Sequence, residues 1–157
     1  MSKYVFGYGS LMNPSSLQKT LPGAKIFAGA SLLGYRRKIN APVDDYLYLN
    51  IVASKGWKVE GVVIKVSEQE LRLLQTREVG YQCLDVSDKL SKIFDGPVFT
   101  FVAPDREFLR LKIPWSYLDT CLSVVPYSQR DLWLDETIIV NDIEYDMDKP
   151  VYDLLVK

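Results

Sequence analysis

Histidine does not occur in this chain. Its absence removes the Ser-His-Asp and Cys-His nucleophile arrangements. It also removes histidine-based zinc sites and the His-Glu-x-x-His helix. Cysteine is scarce: Cys83 and Cys121 are too few for a four-cysteine metal site. In a reducing compartment they are expected as buried thiols rather than as a disulfide. No apolar run approaches the ~20 residues that a membrane span needs, and Met1-Ser2-Lys3 runs into strand-like sequence with no signal-peptide pattern. An excess of one charge is lacking too. Nineteen Lys and Arg stand against 20 Asp and Glu, a net of −1, and the longest basic cluster is Arg36-Arg37-Lys38. That is too little to track a phosphate backbone, so neither nucleic acid nor a membrane is expected as a partner. The expectation is a cytoplasmic protein whose acid–base chemistry near neutral pH uses carboxylates, lysine or tyrosine.

What is present suits one ordinary domain. The chain has 157 residues, 48% apolar and 25% charged. A chain of this size buries roughly 70% of its unfolded surface and needs no staple. Tyr4 to Tyr8 alternates like a strand, with Tyr4, Phe6 and Tyr8 on one face, and Gly9-Ser10 breaks it. Asn13 and Pro14 open a short helix as N-cap and first helical residue. Lys25 to Val66 reads mostly as strands. Lys55-Gly56 marks a turn before Trp57–Ile64, and Asp44-Asp45 reads as a solvated turn. Ser67 and Glu70 form a capping box for a helix over Ser67–Thr76, with Leu71 and Leu74 on its buried face. Tyr81–Val86 and Val98–Val102 are strands. Pro114 opens a helix over Trp115–Leu122, and Ser128 caps another reaching Leu134. Thr137–Val140 and Ile143–Asp146 flank Asn141-Asp142 as a hairpin. The pattern is α+β, a strand-rich core carrying short helices.

Three places could carry chemistry. In Gly7-Tyr8-Gly9-Ser10-Leu11 the two glycines at a strand end admit close approach of a ligand to the backbone. Successive N–H groups there could cradle an anion or an oxyanion. A plain tight turn uses the same residues. Glu78 lies just past a helix end, where the macrodipole disfavours negative charge, and the apolar Val79-Gly80-Tyr81 could desolvate it. Both effects push a carboxyl upward, toward proton exchange near neutral pH. An exposed turn glutamate beside Arg77 is the plainer alternative. Tyr117, after Pro114, suits either a core position or a hydroxyl contact to a ligand.

Taken together, these segments resemble the γ-glutamylcyclotransferase-like superfamily, which includes the AIG2-like and ChaC-type proteins. Phe6-Gly7-Tyr8-Gly9-Ser10-Leu11 is similar to its substrate loop, in ChaC-like wording. Gly34-Tyr35-Arg36-Arg37 is similar to the Gly-aromatic-Arg segment that follows its second strand, and Val59-Glu60-Gly61-Val62-Val63 resembles the strand before its central helix. Leu74–Tyr81 is similar to the segment carrying the catalytic glutamate, which falls on Glu78. Pro114–Thr120 resembles the helix whose tyrosine holds substrate, here Tyr117. The matches keep the family's order from Tyr4 to about Leu134. Ser123-Val124 replaces the usual Gly-Ala, and residues 135–157 match no segment of the family. The resemblance implies a single domain over residues 1–157 with a small mixed β-barrel and flanking helices. It also implies cyclisation of a small γ-glutamyl substrate to 5-oxoproline, with Glu78 as acid and base and Gly7, Tyr8, Gly9, Ser10, Leu11 and Tyr117 holding the substrate. Neither a metal nor a cofactor is implied. An amide hydrolase, a biosynthetic trimming enzyme and a non-catalytic binding protein on the same fold stay open as alternatives.

Overall fold

In a computed structural model of the protein, residues 2–108, 111–139 and 145–146 are described. The first strand, β1 (Lys3–Gly7), is almost wholly buried, as befits a strand covered on both faces. Its alternation splits the interior in two. Tyr4 and Phe6 enter one apolar cluster, and Val5 enters the other. A short 3-10 turn, Ser10–Met12, leads into α1 (Pro14–Thr20). Asn13 caps that helix through its side-chain oxygen, which accepts from the N–H groups of Ser15 and Ser16.

A single long ribbon follows, β2 (Ile26–Val43) antiparallel to β3 (Tyr46–Val66), turning at Asp44-Asp45 as expected. Lys55-Gly56 does not end a strand. Gly56 (φ 84°) and Gly34 (φ 80°) lie where the register shifts between Leu33/Lys58 and Tyr35/Ala53, so the ribbon bulges there and continues. The sequence signal was a genuine left-handed glycine, but the backbone uses it to bend rather than to reverse.

Next come α2 (Glu68–Arg77), β4 (Gln82–Asp85), β5 (Val98–Val102), β6 (Ile113–Pro114), α3 (Trp115–Leu122), α4 (Arg130–Asp135) and β7 (Tyr145–Asp146). The expected capping box of Ser67 and Glu70 is formed on α2. Ser128 is not the cap of α4: it lies inside a 3-10 turn, Tyr127–Gln129, that opens after Pro126. The Asn141-Asp142 turn lies outside the described residues. Tyr145–Asp146 pairs in parallel with β6, and Ile138 bridges to Lys38.

The main sheet has the order β2-β3-β1-β5-β4, antiparallel except between β1 and β5. The outer edge of β2 meets the segment that follows β4 at a bridge between Leu32 and Leu90. Ser91 N–H donates to Ser31 O at 2.9 Å, and Ser31 N–H donates to Ser91 Oγ at 2.9 Å. The sheet therefore curls toward a small barrel. Leu118, Cys121 and Leu122 of α3 and Trp133 of α4 pack on one face. Leu17 of α1 and Leu71 and Leu74 of α2 pack on the other. The fold is thus α+β with short helices on a five-stranded mixed sheet, as the sequence indicated.

Candidate active site

The site forms where the carboxyl end of β1 passes the carboxyl end of α2. Leu74 and Leu71 anchor α2 in the core, so the helix delivers its last residues to a fixed place. Glu78 is its C-cap: its N–H donates to Leu74 O at 2.9 Å. Gly80 (φ 85°) then adopts the left-handed backbone that ends the helix sharply and sends Tyr81 back inward.

Gly7, Tyr8, Gly9, Ser10 and Leu11 line one cleft with Glu78 and Tyr117. All seven residues picked out from the sequence therefore line one cleft, from three separate segments of chain. Phe6, Leu49, Tyr81 and Phe101 complete the lining and were not among the expected site residues. Tyr81 stood three residues past Glu78 as an available signal, whereas Leu49 and Phe101 look like any strand residue.

Close packing explains the glycines. A Cβ on Gly7 would come within 2.8 Å of Leu11 Cβ, and one on Gly9 within 3.1 Å of Leu49 Cδ2 and 3.4 Å of the Tyr117 hydroxyl. Gly61 serves the same place from behind: its Cβ would lie 2.4 Å from the Phe6 ring and 2.5 Å from Gly7 O. With no side chain at Gly9 to cap it, the 3-10 turn at Ser10–Met12 leaves its leading N–H groups without an acceptor inside the turn.

The hydroxyls are mostly committed. Tyr8 donates to Phe101 O at 2.6 Å, and Tyr81 donates to Leu49 O at 2.7 Å. The Tyr117 hydroxyl accepts from Leu49 N–H at 3.3 Å and is also hydrogen-bonded to the Cys121 thiol. Ser10 Oγ accepts from Arg77 Nη2 at 3.1 Å, so the side chain of Ser10 faces the helix end. Burial pushes all three phenols well above their ordinary value of 10.0, with the Glu78 charge adding to the rise for Tyr8 and Tyr81. Burial pushes the Cys121 thiol up to about 12. These groups are neutral at physiological pH.

Glu78 differs. Its side chain is 17% exposed, and burial raises its carboxyl above the ordinary 4.5, opposed by the Arg77 guanidinium, whose Nε lies 3.6 Å from Oε1. The shielding comes from the cleft walls more than from the apolar followers, since Val79 is 63% exposed. The other carboxylate of the family-like strands, Glu60, lies on the surface, hydrogen-bonded to Ser31 Oγ and paired with Lys58. Among the described residues no three Cys, Asp or Glu side chains gather as a metal-holding group. No helix among them is long and apolar enough to cross a membrane.

A shielded carboxylate and a strand-end glycine loop thus share one cleft beside the five-stranded mixed sheet. A solved structure titled "Gamma-glutamyl cyclotransferase" superposes with a TM-score of 0.73 over 99% of each chain, at 18% identity. An uncharacterized protein from Homo sapiens gives 0.70 over 99% of each, at 20% identity. A protein from Arabidopsis thaliana gives 0.55 at 28% identity, over 71% of this chain and 67% of that one. Residues 5–108 match the family model described as gamma-glutamyl cyclotransferase, AIG2-like, and the chain belongs to that family. No curated protein matches it by sequence.

Proposed function

We propose that the protein is an enzyme that cyclises the γ-glutamyl group of a small γ-glutamyl compound to 5-oxoproline and releases the attached amine. The observation that carries this reading is Glu78: a shielded carboxylate with its proton affinity raised, lining the same narrow cleft as a glycine loop. The substrate's α-amino nitrogen is the nucleophile and its γ-carbonyl carbon the target. Ring closure is intramolecular, so the protein's task is to hold the chain folded back and to move protons. Glu78 takes a proton from the α-ammonium as the C–N bond of the ring forms. It returns that proton to the leaving nitrogen as the original amide C–N bond breaks, and it carries across the second proton that the ring nitrogen sheds, so the amine leaves as its ammonium and the ring as a neutral lactam. Backbone N–H groups at Gly9, Ser10 and Leu11 hold the substrate's carboxylate or the developing oxyanion. Tyr117 adds a hydroxyl contact from the far wall. Every proton in this sequence comes from the substrate or passes through Glu78.

The family membership supports the reaction class, and the leaving amine sets the particular substrate. The deciding measurement is product analysis over a panel of γ-glutamyl amino acids, peptides and amines. Release of 5-oxoproline supports the proposal. Free glutamate in its place means that water is the nucleophile, and no turnover across the panel leaves a binding protein on this fold.

A further inference from the structure

Arg77 was only a neighbour of Glu78 in the sequence, yet its side chain is 5% exposed and sits at the junction of three elements. Nη1 donates to Ser16 O at 3.2 Å and to Thr20 Oγ1 at 3.1 Å, both on α1. Nη2 donates to Ser16 Oγ at 2.9 Å and to Ser10 Oγ at 3.1 Å, on the turn that follows the glycines. Nε faces Glu78 Oε1 at 3.6 Å. A guanidinium is a rigid planar fork, so its partners on one edge fix the position of the other edge. Among the described residues Glu78 is the only carboxylate within 4 Å of it, so a buried cation and a shielded anion depend on each other.

We propose that Arg77 is a positioning residue for the reaction, a single buried fork that holds the Ser10 turn and the Glu78 carboxylate in one fixed frame and supplies the charge against which that carboxylate exchanges its proton. The catalytic part of this inference rests on the cyclotransferase reading above. The other groups near Glu78 do not share the role. Tyr8 from the end of β1, Tyr81 before β4, and Tyr117 and Cys121 on α3 are all held neutral by burial. Among the described residues Arg77 is thus the one cation facing the carboxyl, and it works against the rise that burial causes.

The test reads Glu78 directly, in the absence of substrate. The protein is labelled with 13C at the glutamate carboxyl, Glu78 is assigned by loss of its signal in Glu78→Gln, and the midpoint of its titration is compared with that in Arg77→Gln. The midpoint should move upward in Arg77→Gln, because the opposing cation is gone, and kcat/KM at pH 7 should fall about 10–100-fold, as expected from losing one or two charge-assisted hydrogen bonds. Arg77→Lys keeps the charge without the fork. Its Glu78 midpoint should stay near wild type while amide exchange at Ser10–Met12 speeds up, and this variant decides the matter if Arg77→Gln does not fold. An unmoved midpoint in Arg77→Gln, or unchanged exchange at Ser10–Met12 in Arg77→Lys, overturns the role of Arg77. Absence of 5-oxoproline from the wild-type reaction overturns only the cyclotransferase reading, since the titration and the exchange need no turnover.

Discussion

Glu78 carries two separable consequences at the residue scale, one in rate and one in stability. General acid–base groups contribute about 10²–10⁴ in rate, so Glu78→Gln should lower kcat by at least about 100-fold. On the proposed reading the loop and Tyr117 hold the substrate, so binding should persist, and isothermal titration with an inert γ-glutamyl analogue checks it. The stability effect follows from the raised carboxyl. Between 4.5 and the raised value the folded state binds more protons than the unfolded state, so stability falls as pH rises through that window. Urea unfolding should therefore show wild type losing stability relative to Glu78→Gln between pH 4 and pH 7.5; an equal difference at both pH values would contradict the burial of the carboxyl. Gly9 is constrained in another way. Valine there would push into Leu49 and the Tyr117 hydroxyl, and Gly9→Val should abolish ligand-induced thermal stabilisation while Ser10→Ala, whose side chain faces Arg77, retains most of it.

At the scale of elements, the site depends on how closely β1 and β3 approach. Gly61 lies against the Phe6 ring and Gly7 O with no room for a methyl group. Overpacking typically costs about 1–3 kcal/mol, and Gly61→Ala should lose at least that in chemical denaturation, with ligand binding weakened because Gly7 moves with Phe6. This level also separates what the sequence displayed from what it hid. The capping box at Ser67, the Pro114 helix start and the two faces of β1 are local chemistry, and each appears where its residues indicate. Glu78 and the Gly7–Leu11 loop could be paired only because family-like segments occur in a known order; nothing local says that 67 residues of chain bring Ser10 back to Arg77. Leu49 and Phe101 were invisible for the same reason, being apolar strand residues whose neighbours are fixed by tertiary packing. Gly56 carried a true signal with two outcomes, since a left-handed glycine suits a reversal and a bulge equally.

For the whole molecule, the junction at the outer edge of β2 matters most. Exposed strand edges invite pairing with other chains, and here residues 90–92 cover the edge of β2, with Lys92 Nζ donating to Gly29 O at 2.7 Å beside the Ser31–Ser91 pair. Ser91→Pro removes the N–H that Ser31 O accepts. Hydrogen exchange should then quicken at Ser31 and Leu32 and leave Val5 and Phe6 in the central strand protected; uniform protection would mean that the edge is held by other contacts. A second feature acts across the molecule more quietly. The carbonyl and the amide of Leu49 carry the hydroxyls of Tyr81 and Tyr117 respectively, so the backbone of one residue fixes the spacing of two walls that come from distant parts of the chain. These bonds belong to the backbone and are indifferent to the side chain above them. Leu49 is therefore a position where the cleft floor beside Gly9 can be reshaped while the tyrosines keep their places.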